Sequence, residues 1–404
     1  MSHLNYLEKL LDGVEVVWLP LGDIAEIYGG LTGKSKADFE SGNAKYISYK
    51  NIFNNIDVDP DQLELVKLSK NERQNKVRYG DILFTGSSEI AVEAGMSSAV
   101  TIDFKEPVYL NSFSFGVRFN DDIKLMPEFS KYLFRSRFMR SDITKSANGV
   151  TRFNVSKARF KKILVPIPCP DNPEKSLAIQ SEIVRILDKF TALTAELTAE
   201  LTAELNMRKK QYNYYRDQLL SFEEGEVEWK TLGEICESIT SGKNKDKSET
   251  GKFPVYGSTG VIGRTNTKAY ETEQILVARV GANAGRVNIA SGKYDVSDNT
   301  LILKVKNKYN LKFLYYYLVN LNLNRFVKGA GQPLLTAGQL KAMVIPVPMP
   351  EEQSRIVSIL DNFDIITNSI TEGLPREIEL RQKQYEYYRD LLLNFPKSHS
   401  NEVA

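Results

Sequence analysis

A chain of 404 residues has room for two or three domains, and its charge nearly cancels, 53 Lys and Arg against 51 Asp and Glu. No run of eighteen apolar residues occurs, and the opening MSHLNYLEKLLDG lacks the apolar stretch of a signal peptide, so neither a membrane span nor a leader is expected. Cys169, Cys236, His3 and His399 are the only cysteines and histidines; this excludes a disulfide framework and a cysteine-based zinc site, removes most general-base chemistry, and suits a reducing cytoplasm.

Taken in order, residues 13–165 read as one mixed α/β domain. It opens with the alternating apolar segment VEVVWLPLGDIAEI (14–27), and strands are predicted at KYISYKNI (45–52), YGDILFTG (79–86) and SFSFGVRF (112–119). PEFSKYLFRSRFM (127–139) has helical spacing, and the polar loop SANGVTRFNVS and KILVPIPCP close the unit. Residues 166–222 form the central spacer region, in which a helix of about 40 residues, or about 60 Å, is predicted from QSEIVRILDKF through RKKQYNYYRDQLLSF. Its centre reads TAEL three times (194–205), with no Gly or Pro between Ser176 and Leu220. Leu193, Leu197, Leu201 and Leu205 form a stripe that winds slowly around the axis.

Residues 223–345 repeat the plan of the first domain. VEWKTLGEI echoes the opening, strands are predicted at QILVARV (274–280) and NTLILKV (299–305), and a helix at LKFLYYYLVNL (311–321). A second helical region follows over 346–395, with a kink or break expected near Gly373 and Pro375, and then a tail, 396–404. The helical regions repeat strictly. QSEIVRILDKF matches QSRIVSILDNF at eight of eleven positions, and RKKQYNYYRDQLLSF matches RQKQYEYYRDLLLNF at eleven of fifteen, both at an offset of 173. The first twelve residues echo those following the central helix, so the repeat is cyclic. The predicted fold is α+β: two mixed α/β domains separated by a pair of long antiparallel helices in a pseudo-two-fold arrangement.

Basic charge is concentrated ahead of the two proline-rich boundaries. Lys124 to Val165 holds eleven Lys/Arg against two acidic residues, and Thr300 to Ile345 holds seven against none. The paired helical segments, the twin boundaries and the TAEL array together resemble the specificity subunit of type I restriction–modification systems, the kind with a TAEL repeat in its central helix. The resemblance covers essentially the whole chain. It implies two target recognition domains, each reading one half of a bipartite site in double-stranded DNA, and helices that set the spacer. It also implies docking of two modification (methyltransferase) subunits and of restriction (motor and nuclease) subunits. In such a system this chain is non-catalytic and holds no cofactor; S-adenosylmethionine, ATP and Mg²⁺ belong to the partner subunits.

Reading DNA requires Lys or Arg for phosphates and Arg, Asn, Gln, Ser or Thr for base edges. In the first domain the candidates are Thr32, Lys34, Ser35, Lys36, Lys50, Asn51, Ser87, Ser88, Thr151, Arg152 and Asn154. In the second they are Ser241, Lys243, Asn244, Lys245, Ser258, Thr259, Arg264, Arg279, Asn283, Arg286 and Gln332. Each such residue is otherwise a solvated turn. The tyrosines of YNYYRD and YEYYRD, at helical spacing, read as packing residues. GANAG lacks the order of a dinucleotide-binding loop, and no GxxxxGK[ST] occurs. A two-domain protein–protein scaffold with a helical spacer is the alternative.

Overall fold

The computed structural model describes residues 6–245, 248–329, 333–368 and 373–397. It divides into two compact units, residues 1–198 with 380–404, and residues 199–379. His3, His399 and Gln332 lie outside the described residues.

Unit 1 begins with α1 (Tyr6–Leu11), β1 (Val16–Pro20), the one-turn helix α2 (Leu21–Ile24) and β2 (Ala25–Gly29). The apolar segment expected to be continuous over 14–27 is therefore broken. Pro20 has no N–H to extend a ladder, and Leu21 and Gly22 instead donate to the carbonyls of Ile163 and Lys161. Next come β3 (Ala44–Ile47), α3 (Tyr49–Asn54), β4 (Leu63–Val66), β5 (Ile82–Thr85), β6 (Ser87–Ser88), β7 (Ser97–Ala99), β8 (Val108–Leu110) and β9 (Ser114–Phe119). The predicted strand over 45–52 is half helix, because Ser48 caps α3 by accepting the Asn51 N–H at 3.4 Å. The helices α4 (Pro127–Leu133) and α5 (Arg137–Lys145), the strands β10 (Ala147–Asn148) and β11 (Phe153–Val155), α6 (Lys157–Phe160) and β12 (Leu164–Pro168) complete the domain.

The central antiparallel sheet has the order β2-β9-β5-β7, flanked by β4-β3-β8, the pair β1-β12 and the ribbon β10-β11-β6. Phe84, Phe115, Phe134 and Phe160 meet edge to face or stacked at its core, with centroids 4.9–5.4 Å apart. Leu7 and Leu11 of α1 share this core with Leu392, Leu393 and Phe395 near the other end of the chain, which is the closure expected of a cyclic repeat.

The helix α7 (Pro173–Leu219) runs unbroken for 47 residues, about 70 Å. None of its residues beyond Leu187 is buried; Leu193 is exposed, and Leu197, Leu201 and Leu205 are half-buried. Unit 2 then repeats unit 1. β13 (Glu228–Thr231), α8 (Leu232–Ile235) and β14 (Cys236–Ser241) stand for β1, α2 and β2, and β15 (Phe253–Gly257) with β16 (Gly260–Thr265) form a hairpin. β17 (Gln274–Ala278), β18 (Val287–Ala290), β19 (Asp295–Val296) and β20 (Thr300–Val305) follow. They give the sheets β14-β20-β17-β18 and β16-β15-β19. α9 (Leu311–Leu321), α10 (Ala337–Lys341) and β21 (Val344–Val347) close the unit, and β21 pairs with β13. The second helical region is α11 (Pro350–Asn368) and α12 (Gly373–Leu393). At Gly373 φ is +80°, and a Cβ there would lie 2.4 Å from the Ile365 carbonyl oxygen, so the expected break requires glycine.

The strictly repeated residues fasten each domain to its own helix. In unit 1 Gln180 is fully buried; its Oε1 accepts the Met126 N–H at 2.9 Å and its Nε2 donates to the Lys124 carbonyl at 2.8 Å. Eight residues further along, Asp188 accepts from Tyr132 Oη at 2.6 Å and pairs with Lys131 at 3.2 Å. Phe395 meets Phe129 edge to face. In unit 2 Gln353 accepts the Asn310 N–H at 2.9 Å and donates to the Pro348 carbonyl at 2.7 Å. Asp361 accepts from Tyr316 Oη and from Lys312, each at 2.6 Å, and Phe222 meets Phe313. Burial, with the carboxylate second, raises both phenol pKa values and keeps the phenols as donors.

Of each YxYYRD motif the first and last tyrosines behave as the expected packing residues, Tyr215 stacking on Phe363 and Tyr388 on Phe190. Tyr212 lies against Phe363, and Tyr385 hydrogen-bonds Thr191 at 3.1 Å. Tyr214 and Tyr387 are exposed. Their place in the repeat reflects helical periodicity, which turns the third position of the motif away from the buried face.

Removing the Gln353 amide (Gln353→Ala) leaves the Asn310 N–H and the Pro348 carbonyl without that partner, at a cost of about 1–3 kcal/mol for a buried unsatisfied group. The unfolding midpoint of unit 2 should fall by a few degrees in a calorimetric scan, and an unchanged midpoint would show the staple to be dispensable. The thiols provide a second check on the fold. Burial pushes Cys236 up to about 12, whereas Cys169 is only half-buried. At pH 8 a thiol reagent should label Cys169 alone in the native protein and both residues after denaturation.

Candidate nucleic-acid interface

Antiparallel register determines which loops meet in unit 1. Gly29 ends β2 opposite Phe115, and Thr85 ends β5 opposite Ser114, so the loops after β2 and β5 and the turn before β9 share one pole of the sheet. The ribbon brings residues 147–155 there as well, with Asn154 opposite Ser87. Tyr49 Oη donates to the Ser87 carbonyl at 2.8 Å, and the next residue, Lys50, is exposed. Strand β9 starts at this pole and leads away from it toward the segment that Gln180 staples.

Thr32, Lys36, Ser88, Thr151, Arg152 and Asn154 remain exposed or half-exposed at this pole. Thr32 N–H donates to Gln74 Oε1 at 3.1 Å, and Ser35 caps the following turn through Asp38. Arg152 is held in place: its Nε and Nη2 donate to Ser87 Oγ at 3.1 and 3.0 Å, and its guanidinium lies 5.9 Å above the Phe113 ring. Gly149 makes the turn that presents it, since a Cβ at Gly149 would fall 1.9 Å from the Arg152 carbonyl oxygen.

Three of the predicted residues in this unit are spent elsewhere, and the first is Ser87, which is buried with its hydroxyl taken by Arg152. Asn51 is fully buried; its amide donates to the Asp59 carbonyl at 2.8 Å and accepts the Asp59 N–H at 3.0 Å, so it braces a loop and cannot meet DNA. The Lys34 ammonium is nearly buried against Glu72 at 2.5 Å, and that hydrogen bond is the main reason the Glu72 carboxyl is pushed down to about 2. The dense basic run over 124–165 is also partly internal. Arg135 donates to the carbonyls of Ile52, Phe53 and Ser97, and Arg140 to those of Val92, Ala94 and Gly95. Burial pushes each guanidinium down to about 10, which leaves both charged at neutral pH.

Unit 2 gathers its candidates in the same way. Ser241 ends β14 opposite Leu301, and Ala278 ends β17 opposite Thr300. That pole carries Ser241, Lys243, Asn244, Lys245, Arg279, Asn283 and Arg286, with backbone bridges joining Val280 and Lys328 to Leu334. Arg279 Nη1 donates to Ser241 Oγ at 3.3 Å, a serine-held arginine as in unit 1. Lys243, Lys245 and Arg286 are exposed, while Asn244 donates to Asp295 at 2.7 Å. Ser258 and Thr259 form the tip of the β15–β16 hairpin, but Arg264 does not join them. The register places it opposite Pro254 at the other end, where it donates to the carbonyls of Gly251 and Lys252.

Sequence reasoning missed Phe113 and Ile90, which are 66% and 53% exposed at the unit 1 pole. Phe113 shares the parity of Phe115 and so reads as core, but β9 begins only at Ser114. Asn111 Oδ1 accepts the Phe113 N–H at 3.0 Å and turns the residue outward before the strand starts. Among the described residues no cluster of His, Cys, Asp and Glu is placed to hold a metal ion, and no helix is long and apolar enough to cross a membrane.

The type I restriction modification DNA specificity domain matches this chain twice, over residues 14–207 and 224–380. The chain is 41% identical to the EcoR124I/EcoR124II specificity subunit of Escherichia coli, covering 98% of both, and 39% identical to the EcoprrI specificity subunit of the same organism, covering 92% of this chain and 93% of that one. Its fold is similar to that of a chain solved for the assembly and conformational transition of a type I R-M system, with TM-score 0.65 at 18% identity over 94% of this chain and 97% of that one. A doubled α/β domain, a repeated staple to long helices and these matches lead to one assignment: the chain belongs to the family of type I restriction–modification specificity subunits.

Proposed function

We propose that each unit reads one half of a bipartite DNA site through the pole described above, that α7 and the paired α11–α12 region set the unread spacer, and that the chain docks two modification subunits. S-adenosylmethionine chemistry then belongs to those partners, and ATP- and Mg²⁺-dependent restriction to further motor and nuclease subunits. One observation carries this reading. In both units most of the polar candidates collect at one pole of equivalent sheets, and the strand that starts there leads away toward the glutamine staple. Arg, Lys, Ser and Thr in loops presented by a rigid sheet are the groups that contact phosphates and base edges. Binding should therefore weaken steeply with salt.

The units carry their own helix attachments, so exchanging residues 13–165 for the equivalent segment of another specificity subunit should change one half-site and leave the other intact. Methylation mapping with the assembled enzyme reads this directly; a change in both halves would refute independent reading.

Deleting one TAEL, Thr198 to Leu201, shortens the helix by about 6 Å and turns its ends by about 40°. The half-site sequences should persist while their separation shrinks by one or two base pairs at roughly 3.4 Å each. Some loss of affinity should accompany the change, since the partner helices keep their length. An unchanged spacer would make the TAEL array a linker.

A further inference from the structure

The unit 1 pole contains a cleft of about 510 Å³, bounded by Tyr49, Ser87, Ile90, Glu93, Phe113 and Arg152. Its walls are pinned from within: Arg135 holds the end of α3 through the Ile52 and Phe53 carbonyls, and Arg140 holds the loop from Val92 to Gly95. A site braced by buried guanidiniums is preorganised, which recognition of a rigid duplex requires. Two apolar side chains lining it remain largely exposed, Phe113 and Ile90, beside a guanidinium already fixed by Ser87 Oγ.

The charges around the cleft separate two roles for Arg152. Glu89 is exposed, and Glu93 lies within 3.4 Å of Ser88 Oγ; both line the same cleft. Carboxylates so placed repel phosphate but tolerate base edges, which carry amino donors and no net charge. With Nε and one Nη2 hydrogen given to Ser87, one hydrogen on Nη1 and one on Nη2 remain side by side for a planar acceptor pair. In the major groove the acceptor pair that matches an arginine fork is guanine O6 and N7, and the one exposed apolar group is the thymine C5-methyl.

We propose that this cleft reads, in the major groove, a guanine next to a thymine, with Arg152 on guanine O6/N7 and Phe113 with Ile90 against the C5-methyl. The proposal rests on the reading of the pole as a DNA face and names what that face takes. Phe113 is then a specificity-determining residue although it makes no polar contact with a base.

The test uses the full chain assembled with its modification subunits, after methylation mapping has defined the site. Duplexes are made in which each thymine of the first half-site in turn is replaced by deoxyuridine, which removes the methyl and keeps every hydrogen bond. One position should bind about four-fold more weakly, the worth of one buried methyl. Phe113→Ala should bind the parent duplex more weakly and lose that dependence on the methyl, while discriminating in the second half-site as before. Phe113→Leu, which keeps an apolar contact, should retain it in part. Arg152→Ala should lose roughly ten- to hundred-fold discrimination at a neighbouring G·C pair, with little change in salt slope. If every deoxyuridine duplex binds like the parent, or Phe113→Ala keeps the same methyl dependence, the proposal is wrong. Uniform weakening by Arg152→Ala with a shallower salt slope would make that residue a phosphate contact and also overturn it. Failure of the broader DNA reading looks different, since discrimination would then be absent in both half-sites.

Discussion

Everything that this chain presents to a partner depends on how a small sheet domain is held on a long helix. A helix surface carries no free backbone donors, so the attachment must come from side chains, and it has to satisfy the loose N–H groups at the start of the domain's own helix. One buried glutamine does this in each unit, Gln180 for Met126 and Gln353 for Asn310. The aspartate eight residues later takes a tyrosine hydroxyl, and a phenylalanine pair closes the apolar part. A buried amide with its partners in place is inexpensive, and the same amide with one partner missing is costly. This asymmetry explains why these residues are kept in both copies while the domain interiors have diverged.

The cation that joins each aspartate shows how much freedom the arrangement leaves. Lys131 reaches Asp188 from the last turn of its helix, and Lys312 reaches Asp361 from the first turn. Both aspartates are partly exposed, so the ion pairs are screened and add less than the geometry implies. The position of the lysine can therefore drift, whereas the glutamine and the tyrosine hold the same places in both copies.

At the opposite pole the chain uses arginine in two ways. Arg135 and Arg140 are buried and spend their donors on backbone carbonyls, fixing loops that have no regular partner. Arg152 and Arg279 lie at the surface, each oriented by a serine hydroxyl. The two uses are coupled, because a surface guanidinium can select among base edges only if the loops beside it do not move.

The sequence alone determined the duplicated plan, one long central helix, the break near Gly373 and the cyclic echo of the first residues, since these follow from helix propensity, glycine and strict repetition. It also located the loops that gather at each pole, because Gly, Ser, Thr and Arg cluster where strands end. Tertiary structure alone decided which members of those loops face outward. Asn51 and Lys34 look like DNA ligands in a linear reading, yet a helix cap at Ser48 and a carboxylate at Glu72 turn them inward. Phe113 looks like core by alternation, yet the Asn111 turn ends the alternation one residue early. Arg264 stands close to Ser258 in sequence and at the other end of a hairpin in space. In each case a contact with a residue distant along the chain, or a turn one residue from where periodicity places it, outweighs local pattern, and neither is encoded in the composition of the loop itself.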